Sequence, residues 1–117
     1  MSASPRPVVV VVREDPAASH RPAEALRIAV GLRVGEAPVD VVLLGPGAKA
    51  LAEDPSSFED ADVLERHREA LARGGCVFLV EEEAARLHPP AGRFRFEALP
   101  PGRLAAALAR ADRAIAF

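Results

Sequence analysis

The sequence predicts an α/β fold, built on an open, mostly parallel sheet of five strands with helices on both faces. Short runs rich in valine, leucine or isoleucine recur along the chain, alternate with helix-like segments, and are joined by short links. A continuous apolar run is typical of a strand covered on both faces, and such strands belong to parallel sheets. Regular alternation with helices favours right-handed crossovers between those strands.

The first strand is predicted from Pro7 to Val12, where an uninterrupted β-branched run indicates a central position in the sheet. A helix is predicted from Ala23 to Val34, because Pro22 suits a first helical turn and Gly35 suits the end of a helix. This helix is apolar nearly all round, so one stripe can cover the sheet while another covers a neighbouring subunit. The pattern therefore predicts an oligomer.

The later elements follow from the same signals of apolar runs, helical spacing and glycine or proline breaks. The predicted strands are Val39 to Leu44, Cys76 to Val80, Phe94 to Leu99 and Asp112 to Phe117; the predicted helices are Ala48 to Glu53, Ala61 to Arg73, Glu83 to Leu87 and Arg103 to Arg110. We expect a flavodoxin-like strand order, 2-1-3-4-5. In that order a ligand would bind at the carboxyl ends of the strands, near the reversal between strands 1 and 3.

Length and composition limit the possible functions. With 117 residues, half of them apolar, 27% charged and a formal net charge of -2, the chain is expected to form a single domain over residues 1–117. This charge balance does not predict nucleic-acid binding, and no apolar run predicts a membrane span. A single cysteine and a start without an apolar signal core predict a cytoplasmic protein with no internal disulfide. Asn, Gln, Thr, Trp and Tyr are absent, a composition compatible with a heat-loving source.

Four side chains at the predicted carboxyl edge are candidates for ligand binding. Arg13 and His20 flank the loop after the first strand, and with Lys49 after the second strand they could present a rim that binds an anion. Glu81 ends the third strand, where a carboxylate could act chemically. The alternative interpretations are a solvated polar loop and a charged first helical turn that complements the helix dipole. The three histidines do not form a metal-binding set, so no metal is expected.

No cofactor is expected either. The segment GPGAKA, residues 45–50, matches the glycine pattern of dinucleotide sites, but it follows the second strand and contains Pro46. It lacks the glycine spacing and hydroxyl residue of a phosphate-binding P-loop. A receiver-domain acid cluster is incomplete, and the hydroxyl-rich loop and aromatic side chains of an FMN site are missing. A plain tight turn is the favoured interpretation.

Three stretches of the chain are informative together: VDVVLLGPGAKAL, LERHREALARGG and the closing ADRAIAF. They resemble the DsrE/DsrF family of small sulfur-relay proteins, which includes TusBCD-type subunits. The resemblance implies a flavodoxin-like fold, assembly as dimers, trimers or hexamers, and a persulfide-carrying cysteine at the end of strand 3. In GGCVFLVEEEAARL, Glu81 stands at that position and Cys76 lies at the opposite end of the strand. At the first position of an apolar strand, Cys76 is expected to be a buried or half-buried small residue.

The functional hypotheses depend on this difference from the family, a glutamate in place of the carrier cysteine. The resemblance implies a non-catalytic structural or regulatory subunit, or a binder of a small anionic ligand, linked to sulfur relay. Its expected partners are copies of itself or related subunits. One alternative is a sulfurtransferase that carries persulfide sulfur on Cys76. A third hypothesis is a small-ligand enzyme that uses Glu81 as a general base beside His20.

Overall fold

The computed structural model describes residues 6–117. Strands and α-helices alternate along these residues. In order they are β1 Val8–Val12, α1 Arg21–Val34, β2 Val39–Leu43, α2 Ala61–Arg73, β3 Phe78–Glu81, α3 Glu82–Leu87, β4 Phe96–Leu99, α4 Pro101–Ala109 and β5 Arg113–Ala116. Every predicted element is present, with ends that shift by a few residues. The short helix predicted from Ala48 to Glu53 is a 3₁₀ helix that spans Gly45–Leu51.

Local sequence signals account for the helix ends. Pro22 lies in the first turn of α1, where its missing N–H group costs no hydrogen bond. Helix α2 has the predicted bounds, and its chain leaves the helix through Gly74 and Gly75. Gly75 has a φ of 84°, in the left-handed region that favours glycine, so the chain can turn there towards β3.

The sheet is parallel throughout, but its strand order corrects the prediction. The observed order is β4-β3-β2-β1-β5, so β2 lies between β1 and β3 instead of at an edge. Three successive crossovers step in one direction, and only the link through α4 returns across the sheet to place β5 beside β1. The predicted class is confirmed, whereas the predicted order 2-1-3-4-5 is wrong. The reversal of strand order lies between β1 and β5, not between strands 1 and 3.

The two faces of the sheet are covered unequally. Right-handed crossovers that step in one direction place their helices on the same face, and the returning crossover lies on the other. The larger core therefore joins one face of the sheet to α1, α2, α3 and the 3₁₀ helix. The smaller core holds Val9, Val11 and Val42, against which Leu104 and Leu108 of α4 pack. Helices lie on both faces, as predicted, but α4 alone covers the second.

Candidate functional site

The carboxyl ends of β1, β2 and β3 bring three loops to one edge of the sheet. The 3₁₀ helix lies directly against the end of β1, because the N–H of Leu44 donates to the carbonyl oxygen of Val12 at 2.9 Å. A Cβ at Gly47 would lie only 2.2 Å from that same oxygen. This close approach requires glycine at position 47, and it positions the side chains that follow on the 3₁₀ helix.

Lys49 and Asp15 form the central ion pair of this edge. Lys49 Nζ lies 2.9 Å from Asp15 Oδ2, and each side chain is about one third exposed. The N–H of Ala17 also donates to Asp15 Oδ1 at 2.9 Å. The pKa of Asp15 is lowered from its ordinary value, first by this N–H and then by Lys49, with a smaller contribution from His88; burial acts in the opposite direction.

We expect Asp15→Asn to remove part of the acid dependence of stability. The lowered pKa means that Asp15 stabilises the fold above about pH 3.9, its unfolded value, and that this contribution disappears as pH falls through the folded value. The variant should lose about 1 kcal/mol of unfolding free energy at pH 7 and almost none at low pH. Urea unfolding between acid and neutral pH measures this difference.

Asp62→Asn is the matched control, because it removes an exposed carboxylate from α2 with the same change in net charge. An equal loss of stability at neutral and low pH in Asp15→Asn would contradict the assignment.

Glu81 anchors the turn that leads from β2 into the 3₁₀ helix. Its carboxylate oxygen Oε1 accepts the N–H of Gly45 at 2.9 Å, and Gly45 has a φ of 49°. Within the described residues no hydrogen bond joins Glu81 to His20. Glu81 was a candidate for acid–base chemistry in the sequence. In the structure its carboxylate instead holds the end of β3 to the loop that follows β2.

The other basic side chains near the carboxyl ends of the strands do not form one cluster. Arg13 and His20 are both exposed, and His20 precedes α1 without a side-chain capping bond. Glu14 accepts from Ser19 Oγ at 2.7 Å and lies 3.2 Å from Nε of Arg21. Glu14 and Asp15, the two acids of this loop, thus form ion pairs with Arg21 and Lys49. The anion-binding rim of Arg13, His20 and Lys49 stays a prediction.

Cys76 lies just before β3, at the amino-terminal ends of the strands and thus on the opposite side of the sheet from the candidate site. It is 3% exposed, and its N–H donates to the carbonyl oxygen of Leu71 at 3.0 Å. Burial raises the pKa of its thiol, while the positive charge of Arg33 opposes the shift. A buried, protonated thiol is a poor nucleophile. The burial expected for a small residue at the start of this strand is confirmed.

Arg68 is a residue of this region that sequence reasoning missed. It is fully buried on α2, and its Nη1 donates to the carbonyl oxygens of Ala50 at 3.1 Å and Ala52 at 2.7 Å. Its guanidinium lies 4.9 Å from the centre of the Phe94 ring. These contacts tie the end of the 3₁₀ helix, and with it Lys49, to α2.

A signal for this role exists in the sequence. Arg68 falls between Leu64 and Leu71 at helical spacing, on the stripe that faces the core. A charged residue on such a stripe indicates a buried partner, but the spacing does not say which carbonyl groups it meets.

The part of the chain that the structure describes contains neither a group of metal ligands nor a membrane-spanning helix. Within residues 6–117, no three His, Cys, Asp or Glu side chains are grouped so as to hold a metal ion. None of the described helices is long and apolar enough to cross a membrane.

Comparison with solved structures shows a likeness in fold. The chain is similar in structure to the YchN protein from E. coli. The TM-score is 0.75, the comparison covers 96% of this chain and 99% of that protein, and the sequences are 18% identical. At this identity the likeness shows a shared fold alone. No family model and no curated protein sequence matches the chain. The fold class that the resemblance to DsrE/DsrF proteins implies is thus confirmed.

Proposed function

We propose that this chain is a DsrE/DsrF-like subunit that does not carry sulfur itself and serves a structural or regulatory role in sulfur relay. One observation carries the proposal: the carboxyl end of β3, where the resemblance places a carrier cysteine, holds Glu81 in a hydrogen bond to Gly45. A carboxylate cannot form a persulfide. The side chain at position 81 instead holds the turn after β2 in place.

Cys76 does not supply the missing thiol. A persulfide carrier needs an exposed, stabilised thiolate that a partner can approach in line. Cys76 is buried and its pKa is raised. It is also five residues from Glu81 along an extended segment, roughly 16 Å at the usual rise of a strand. A partner that docks at the carboxyl edge would not reach it.

The other two hypotheses have less support. Glu14 and Asp15 neutralise Arg21 and Lys49, so two of the positive charges at this edge are already compensated and less is left for a small anion. A general base needs a free carboxylate within hydrogen-bond reach of its substrate, whereas Glu81 is occupied by a backbone N–H.

We expect no sulfur transfer to the wild-type protein. Intact mass would be measured after incubation with a cysteine desulfurase and cysteine, and compared with Cys76→Ser. The wild type should gain no reducible sulfur atom, because its single thiol is buried. A reducible adduct on the wild type that is absent from Cys76→Ser would overturn the proposal.

A second variant tests the position directly. Glu81→Cys in the Cys76→Ser background places a thiol where the resemblance puts the carrier, half-exposed at the carboxyl edge. We expect this variant to gain reducible sulfur. Glu81→Ser in the same background controls for loss of the hydrogen bond to Gly45.

A further inference from the structure

Strand β4 is a short edge strand of the sheet, four residues long. Among residues 6–117 it pairs only with β3, and Phe96, Glu97 and Ala98 are all exposed, Phe96 to 39%. Edge strands are commonly blunted by proline, a bulge or an inward-pointing charge, because a bare edge is a template for another strand. No proline interrupts residues 94–99.

The outward backbone groups of β4 can be assigned. The N–H of Phe78 donates to the carbonyl oxygen of Arg95 at 2.9 Å, and Leu79 lies opposite Glu97. In a strand, successive residues direct their peptide groups to alternate sides. Arg95 and Glu97 therefore bond towards β3, whereas the N–H and C=O groups of Phe96 and Ala98 point away from the sheet.

We propose that β4 pairs antiparallel with β4 of a second copy of this chain, about a two-fold axis at Phe96. Phe96 would then face its own copy as a hydrogen-bonded pair, since both of its peptide groups point outwards. Each Arg95 would lie opposite Glu97 of the second copy, on the other face of the strand. Opposite charges and aromatic side chains directly across two strands stabilise such a pair. The result is one continuous ten-stranded sheet.

Charge selects both the strand and the register. An axis at Glu97 would place that glutamate opposite itself, and like charges in this position destabilise pairing. On the other edge strand, β5, the acid next to Arg113 is Asp112, whose N–H donates to the carbonyl oxygen of Pro7 at 2.8 Å and so bonds towards β1. Residues directly opposite in an antiparallel pair both bond across it or both bond away from it, so Asp112 cannot face Arg113 of a second copy. Of the two edge segments, only RFRFE, which leads into β4, places an acid and a base on either side of an outward-bonding residue.

The existing ion pair of Glu97 does not prevent this arrangement. Glu97 Oε1 lies 3.4 Å from Nη2 of Arg103, with the two side chains 53% and 67% exposed. Exposed pairs of this kind contribute little, so Glu97 can exchange this partner for Arg95 of a second copy.

This inference rests on the proposed role as an assembling subunit, but its test is independent of sulfur transfer. Sedimentation of the full chain over a range of concentrations measures association, whereas the mass measurement above reports the carrier position. We expect the wild type to form a two-fold dimer or an assembly that contains one. Arg95→Glu and Glu97→Arg should each weaken this association at least about tenfold, because two attractive cross-strand pairs become two repulsive ones.

An equimolar mixture of the two charge variants should associate again. One variant then carries two acids on β4 and the other carries two bases, so every cross-strand pair in the mixed dimer is complementary. Ala98→Pro should also weaken association, because it removes an outward N–H while leaving the bonds to β3 in place. Arg113→Glu on β5 is the control and should leave association unchanged.

Three results would overturn the proposal. One is a wild type that stays monomeric at every concentration. Another is association that survives both the charge reversals and Ala98→Pro, which would assign it to a different surface. The third is a mixture of the two charge variants that remains as dissociated as each variant alone.

Discussion

Gly47→Ala is expected to destabilise the protein by about 3 kcal/mol or more. The added Cβ would lie 2.2 Å from the carbonyl oxygen of Val12, 2.6 Å from its carbonyl carbon and 3.0 Å from the N atom of Arg13. These are backbone atoms at the end of β1, so no side-chain rotation relieves the overlap. The 3₁₀ helix would have to lift from β1, at the expense of the hydrogen bond from Leu44 to Val12.

Gly31→Ala is the matched control for this prediction. Gly31 lies within α1, and a Cβ there would meet no heavy atom within 4 Å. Alanine should therefore stabilise the helix, by about 0.5–1 kcal/mol. Urea unfolding of the two variants should give shifts of opposite sign. A Gly47→Ala protein with the wild-type midpoint would show that the 3₁₀ helix does not approach β1 as described.

Gly47 also marks the limit of what the sequence predicts. Two glycines after an apolar run indicate a tight turn, and a tight turn is present. Which strand the turn packs against depends on strand order, which no local signal encodes. β1 and β2 are both buried apolar runs, so either could lie at the centre of the sheet. The observed order differs from 2-1-3-4-5 in two placements: β2 lies between β1 and β3, and β5 lies beside β1 instead of beside β4.

The candidate site was partly predictable for a related reason. All parallel strands end on the same side of the sheet, and the predicted and observed orders both keep β1, β2 and β3 consecutive, so the loops after them were expected to meet. The pairing of Lys49 with Asp15, and of Glu81 with Gly45, depends on how the loops pack and was not predicted. The burial of Cys76 followed from its place at the start of an apolar strand, where neither a helix N-terminus nor a basic cluster is expected.

Arg68→Ala is the second change with a large expected effect, a loss of about 4 kcal/mol. Two opposing contributions decide the size of this loss. Burial disfavours the guanidinium and lowers its pKa, and two of its nitrogen atoms, Nε and Nη2, have no hydrogen-bond partner in the described residues. Against this, Nη1 donates charge-assisted bonds to Ala50 and Ala52, and the cation lies over the ring of Phe94.

Alanine removes these favourable contacts, leaves two carbonyl groups without their donor and opens a cavity. Arg68→Met separates the contributions, because methionine fills much of the space and removes the cost of burying a charge. We therefore expect the methionine variant to be more stable than the alanine variant and less stable than the wild type. Arg66→Ala, on the exposed side of the same helix, should change the unfolding free energy by no more than about 0.5 kcal/mol.

Amide exchange would show whether Arg68 also holds the candidate site in place. The N–H of Ala52 donates to the carbonyl oxygen of Lys49 at 2.9 Å, so its protection reports the last turn of the 3₁₀ helix. If Arg68 fixes that turn, Arg68→Ala should speed exchange at Ala52 by more than the loss of global stability requires, and Arg68→Met should do the same. If the exchange rate at Ala52 changes only as much as global stability does, Arg68 contributes to core packing alone. Lys49 is then positioned by Asp15 and by the contact of Gly47 with β1.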